Sequence, residues 1–301
     1  MKKKIAANVN VVAALVLGLF LVLPVAFKQK EERKSTTVIV SPPAIPAQLS
    51  FAGEPAPLDR WDIRERFDRE LLINYYNTGT VLFLLKKAAR YFPIISEELK
   101  AAGVPDDFKY LCIAESNMVS DARSRSNAVG YWQFINGTAP GYGLTVSSEV
   151  DDRMDIIRST KAACQYLKRA HAKFGNWTAA AASYNCGQGG YNSQATSQGT
   201  TNYYDLVLPD ETKRYIFRIL TFKHLIENAA ELGFEIKDAD TYGPIAFRTI
   251  TVSATIPNLV AFARANGTTY YMLRQMNPWL RGRSLMVTGG KSYTLKLPAT
   301  E

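Results

Sequence analysis

Glu115 stands where a carboxylate is expensive. In the stretch YLCIAESNM, residues 110–118, a helical reading places Phe108, Leu111, Cys112 and Glu115 at i, i+3, i+4 and i+7. That spacing is a single stripe of a helix, so three apolar side chains and one acid share the buried face. An unpaired buried carboxyl gives up its charge and holds its proton well above the ordinary glutamate value of about 4.3. Such a group can serve as a general acid near neutral pH. The competing reading is an inward glutamate locked to an arginine, which would be structural.

Three further elements carry groups of the right chemistry: SNAVGYWQF (126–134), Ser183-Tyr184-Asn185, and ETKRY ending at Tyr215. Taken singly, each has an ordinary explanation, such as a packed turn around Gly130 or a helix end capped by Asn185. No second carboxylate suggests itself. Asp121 reads as a loop anchor, and Asp151, Asp152 and Asp155 lie at a helix start, where the dipole favours acids.

The elements that must position these residues are mostly helical. WDIRERFDRELLINYY and TVLFLLKKAARYF have helical spacing and strong helix formers. Pro105, Asp106 and Asp107 follow Gly103 and predict the start of the helix that bears Glu115. Ile156, Thr160, Ala163, Leu167, Ala170 and Phe174 mark one face of a longer helix, stopped at Gly175. The Ala-rich WTAAAASYNCG predicts another, ended by Gly187, and the Gly/Ser/Gln stretch 187–202 reads as a surface loop. A last amphipathic helix runs through DETKRYIFRILTFKHLIENAAELGF, with Asp210 as its N-cap. After Thr241 the texture changes to a strand, two short helices and a strand.

The chain of 301 residues is 47% hydrophobic and 21% charged, which is globular composition with room for more than one domain. A net charge of +9 would suit an anionic polymer or surface. No dense Lys/Arg stripe is interleaved with aromatics, so nucleic acid is not an expected partner. Cys112, Cys164 and Cys186 show no CxxC spacing, and only His171 and His224 are present. No metal site is expected, and the cysteines read as small buried hydrophobes, with one disulfide among them left open. Lys2, Lys3 and Lys4 precede an uncharged run from Ile5 to Phe27. Residues 1–27 therefore read as a targeting segment, either an uncleaved anchor with the lysines in the cytoplasm or a cleaved signal peptide. A Pro/Ala-rich linker is expected over 28–58, a helical domain over 59–240, and a small module over 245–301.

Together and in this order, Glu115-Ser116, Gly130-Tyr131-Trp132-Gln133, Ser183-Tyr184-Asn185 and the ETKRY element resemble the goose-type lysozyme-like lytic transglycosylases. The flanking DDFKYL, FGNWTAAAASYN and LPDETKRYIFRIL strengthen the likeness, which spans roughly residues 60–235. Departures are Tyr131 where Leu is usual, Asn127 where Gly is common, and Ser183 for Ala. The resemblance implies a mainly α fold, with a lysozyme-like all-α catalytic domain, acting on peptidoglycan glycan strands. Glu115 would be the single acid and base, cutting the bond between N-acetylmuramic acid and N-acetylglucosamine and leaving a 1,6-anhydro end, without metal or cofactor. Ser116 and Gln133 would hydrogen-bond the acid or the sugar. Tyr184 would position the acid or the acetamido group, and Tyr215 would lie near the site. Asn185 has either a binding or a structural role, and Phe134 is either subsite or core. Two other outcomes remain open: a muramidase of the same fold that admits water, and an inactive wall-binding scaffold. The C-terminal β-α-α-β unit resembles a LysM module with a degenerate first turn, a glycan binder or a stability element. With the N-terminal segment, the expected setting is the periplasm, anchored to the inner membrane by residues 5–27 or released after cleavage.

Overall fold

A computed structural model describes residues 41–299 of the chain. The expected targeting segment at 1–27 lies outside the described residues. Among those described, no helix is long and apolar enough to cross a membrane.

The body is helical. α1 (Trp61–Tyr75) and α2 (Thr78–Ala102) precede the short α3 (Phe108–Ser116), which bears Glu115. Phe108, Leu111 and Cys112 are fully buried, as the stripe predicts. α2 ends at Gly103, whose positive φ of 68° closes the helix and redirects the chain into α3. α4 (Ile156–Phe174) starts on a true cap: the Asp155 carboxylate accepts from the amides of Ile157 at 3.0 Å and Arg158 at 2.9 Å. α5 (Trp177–Gln198) presents Ala179–Ala182, all fully buried, and the small side chains let it lie close to α4. α6 (Asp210–Glu227) packs on α1, α3 and α5 and closes the core with Ile216, Phe217, Ile219 and Leu220.

Three expectations need correction. The stretch 187–202 is not a surface loop. Gly187, with φ of 77° and ψ of 148°, kinks α5, and the helix then continues to Gln198. Tyr191 and Ala195, four residues apart, bury against the core and overcome the weak helix propensity of the Gly/Ser/Gln composition. Nor does the linker reach residue 58. Ser50–Phe51 (β1) and Glu54–Pro55 (β2) form a small hairpin with Phe51 fully buried. Glu54 accepts from the amides of Trp177 at 2.6 Å and Thr178 at 2.8 Å, tying the hairpin to the start of α5. Asp210 is not a cap either; it is the first residue of α6, after Pro209, and no side chain caps that end.

The C-terminal unit has the expected order: β3 (Phe247–Val252), α7 (Leu259–Ala265), α8 (Tyr270–Met276) and β4 (Tyr293–Pro298). β3 and β4 pair antiparallel, Phe247 opposite Pro298 through Val252 opposite Tyr293. Its apolar core is not private. Val129, Val150 and Met154 of the helical body join Leu259, Leu273, Trp279, Leu280, Leu285, Leu295 and Leu297 in one buried cluster. The described residues from 42 onward form one compact unit, with the C-terminal unit packed onto the helical body through this shared cluster.

Candidate active site

The carboxyl of Glu115 sits at the C-terminal end of α3, half-buried, where the chain leaves the helix through two left-handed residues, Asn117 at φ 51° and Met118 at φ 54°. Its expected competitor, a locking arginine, is absent among the described contacts. Glu115 makes no ion pair within the described residues, and its carboxyl receives the hydroxyl of Tyr215 instead. Burial pushes the acid up from the usual range to about 7. The Tyr215 hydrogen bond and the positive charge of Arg218 pull the other way, and the negative Glu211 raises it further. Arg218 is restrained on its other side by the buried Glu70, 4.0 Å away, which also holds Arg214 at 2.6 Å.

A cleft of about 440 Å³ opens over this acid. It is lined by Glu115, Gln133, Phe134, Tyr184 and Asn185, so five of the seven residues predicted from sequence meet there. The sixth, Tyr215, is buried beneath and touches Glu115 directly. The seventh, Ser116, faces the other way: its hydroxyl donates to the carbonyl of Tyr131 at 2.7 Å and it is buried. One residue on from Glu115 is about 100° around the helix, so both side chains cannot point into one groove.

The wall opposite α3 is the loop 122–134. Gln133 holds a left-handed φ of 50°, and its side-chain amide donates to the carbonyls of Gly130 at 2.8 Å and Ala122 at 3.1 Å. Gly130 has φ of 87°, and a Cβ there would come within 1.9 Å of the Arg153 carbonyl, so only glycine fits. Trp132 is buried and its indole N–H reaches Thr160 at 2.8 Å. Tyr131 is also buried, against Tyr91, and does not line the cleft. The hydroxyl of Tyr184 donates to the Trp132 carbonyl at 2.8 Å, clasping this loop to α5. Phe134 packs edge-on to Tyr184 at 6.0 Å, both core and cleft surface at once. Asn185 accepts from the Thr212 hydroxyl at 2.8 Å while lining the cleft, so its two readings coexist.

Tyr166 and Glu211 are among the lining residues that escaped sequence reasoning. Tyr166 enters from α4, its hydroxyl on the Ser183 carbonyl at 2.7 Å. Glu211 enters from the first turn of α6 and supplies a second carboxylate to the cleft. Nothing local marks either one, although Glu211 begins the ETKRY element whose tyrosine was singled out. Among the described residues, no cluster of His, Cys, Asp or Glu could hold a metal ion, and all three cysteines are free thiols. His171 stacks on Trp177 at 3.9 Å.

Residues 92–207 match the Transglycosylase SLT domain family, and residues 248–301 match the soluble lytic transglycosylase C-terminal LysM-like domain. The first match contains Glu115, the 126–134 loop and Ser183-Tyr184-Asn185; Glu211 and Tyr215 lie just beyond it. Membrane-bound lytic murein transglycosylase D of Escherichia coli K12 is 28% identical over 208 residues, 67% of this chain and 45% of that protein. A putative tributyltin chloride resistance protein of Alteromonas sp. strain M-1 is 31% identical over 104 residues, 34% of this chain and 50% of that protein. The chain thus spans about half the length of the curated relatives it matches. An inactive mutant of lytic transglycosylase Slt from Pseudomonas aeruginosa aligns over 50% of this chain and 26% of its own, with a TM-score of 0.37 and 21% identity. The chain carries an SLT transglycosylase domain with a LysM-like domain behind it and is a homologue of membrane-bound lytic murein transglycosylase D.

Proposed function

We propose that this protein is a peptidoglycan lytic transglycosylase in which Glu115 acts first as acid and then as base. The observation that carries the reading is a carboxyl held near neutral pKa by burial, unpaired, at the floor of a cleft with aromatic walls. A disaccharide unit in that cleft would place the glycosidic oxygen between N-acetylmuramic acid and N-acetylglucosamine against Glu115. The acid delivers its proton to that oxygen, and the bond to the anomeric carbon breaks. The muramic acid 2-acetamido oxygen bonds to the electron-poor anomeric carbon. Glu115, now a carboxylate, takes the proton from the sugar's own 6-hydroxyl, whose oxygen attacks the anomeric carbon and displaces the acetamido group. A 1,6-anhydro ring results, the acid is regenerated, and no water is consumed.

The remaining groups fall into supporting roles. Tyr215 orients the carboxyl and stabilises its charged form between the two half-reactions. Tyr184 holds the cleft wall through Trp132, and Phe134 offers an aromatic surface to a sugar ring. Asn185 offers its amide N–H groups to the glycan and Gln133 its amide oxygen, since the Gln133 nitrogen is held by Gly130 and Ala122. The setting proposed is the periplasm, with the chain anchored through residues 5–27 or released after cleavage, on the strength of the Lys2–Lys4 flank and the apolar run.

Glu211 favours a second reading. A second carboxylate in the cleft could activate a water, making the enzyme a muramidase. Purified sacculi incubated with the protein separate the two. Mass spectrometry of the released muropeptides should find anhydro ends, lighter by one water than the reducing ends a hydrolase leaves. Glu115→Gln keeps the shape and removes the titrating proton, and persistent lysis by that variant would refute the role given to Glu115.

A further inference from the structure

The LysM-like domain is joined to the cleft wall by a continuous set of contacts. Glu149, on the loop before α4, reaches into the C-terminal unit: its carboxylate accepts from the Ser284 hydroxyl and from the Met286 amide at 2.8 Å. Its carbonyl accepts from the Arg281 amide at 2.7 Å. The next residues add backbone pairing, Val150 bridging Leu280 and the Asp151 amide donating to the Trp279 carbonyl at 2.9 Å. Asp151 then grips Arg153 through two 2.8 Å bonds, with both residues buried. The Arg153 guanidinium donates to the Phe134 carbonyl at 3.1 Å, and the Arg153 carbonyl lies against Gly130. Val129, which pairs with Phe134 across the same loop, is itself part of the C-terminal unit's apolar cluster.

The loop so held is the one under backbone strain. Asn127, Gly130 and Gln133 all have positive φ within seven residues of Phe134, and two of the three are not glycine. Such a conformation persists only where the surroundings over-determine it. On one side the surroundings are Tyr184 and Gln133's own amide bonds; on the other they are Arg153 and the C-terminal unit. A buried pair such as Asp151–Arg153 is weak evidence of net stability; what it does here is hold the Arg153 guanidinium where it donates to the Phe134 carbonyl.

We propose that the C-terminal unit is a structural part of the catalytic centre: by way of Glu149, Asp151 and Arg153 it sets the conformation of the 127–134 wall. Glu149 and Arg153 are positioning residues, acting through Gln133 and Phe134. The kinetic side of this inference rests on the reading of Glu115 above; the structural side does not.

The test uses the full chain with Glu149→Ala, a change outside the cleft, and with the milder Ser284→Ala, which removes one hydrogen bond of the same clasp. Amide hydrogen exchange should quicken about tenfold at Val129 and Gln133 in Glu149→Ala, and less in Ser284→Ala, with α2 and α6 protected as before. On a soluble glycan too short to leave the cleft, kcat should fall in the same order while KM stays within about twofold. A purely structural clasp would speed exchange only around 280–286 and leave kcat intact in the folded variants, and that outcome overturns the proposal. If exchange behaves as expected but Glu115→Gln remains lytic, the positioning of the wall stands and the assignment of Glu115 fails.

Discussion

Tyr215→Phe offers the sharpest test of how the acid is tuned. Burial carries Glu115 from 4.5 to about 7, and the Tyr215 hydroxyl opposes that rise by bonding the charged form. A hydrogen bond to a charged group contributes about 1.5–3 kcal/mol, and one pKa step corresponds to about 1.4 kcal/mol. Deleting the hydroxyl therefore raises the acid's pKa further, by roughly one to two steps. Tyr215 is buried, so phenylalanine fills the same space and only the oxygen is lost. The acid must be protonated to work first, so the alkaline limb of kcat/KM against pH reports this group in the free enzyme. The expected result is a limb displaced upward, with a lower plateau because the carboxyl is less well oriented. Arg218 and Glu211 are the other charges acting on Glu115, and both remain in the variant. Tyr184→Phe is the control: its hydroxyl bonds the Trp132 carbonyl, so the limb should stay in place. A limb that is unmoved or lowered in Tyr215→Phe would refute the claim that this hydrogen bond stabilises the carboxylate.

The same shift has a consequence for stability. A carboxyl whose folded pKa is raised stabilises the fold below its unfolded value and loses that contribution as pH rises through the folded one, here from about 4.5 to about 7. Glu115→Gln should therefore match the parent near pH 4 and exceed it at pH 8 by up to about 3 kcal/mol, read as a rise in denaturation midpoint. Gly130→Ala should unfold or inactivate the protein, because its Cβ would meet the Arg153 carbonyl at 1.9 Å; circular dichroism and lysis assays check this. Tyr191→Ala should cost about 3–5 kcal/mol in denaturant melts if the second half of α5 is core, whereas a surface loop would barely respond.

What the sequence determined by itself was local. The i, i+3, i+4, i+7 stripe placed Glu115 on an inward face, and the structure buries Phe108, Leu111 and Cys112 beneath it. The β-α-α-β texture after Thr241 was readable because strand and helix periods differ over a few residues. Propensity misled where burial overrode it, as at Tyr191 and Ala195 in a Gly/Ser/Gln-rich segment and at Phe51 in a Pro/Ala-rich one. Only the tertiary structure decided which groups meet. It brings Tyr215 to Glu115 across 100 residues of chain, adds Glu211 and Tyr166 to the cleft, turns Ser116 away, and makes Val129 common to the wall and the C-terminal unit. The physical reason is that periodicity reports the backbone's own repeat over one or two turns, while the neighbours of a side chain are set by how whole elements pack.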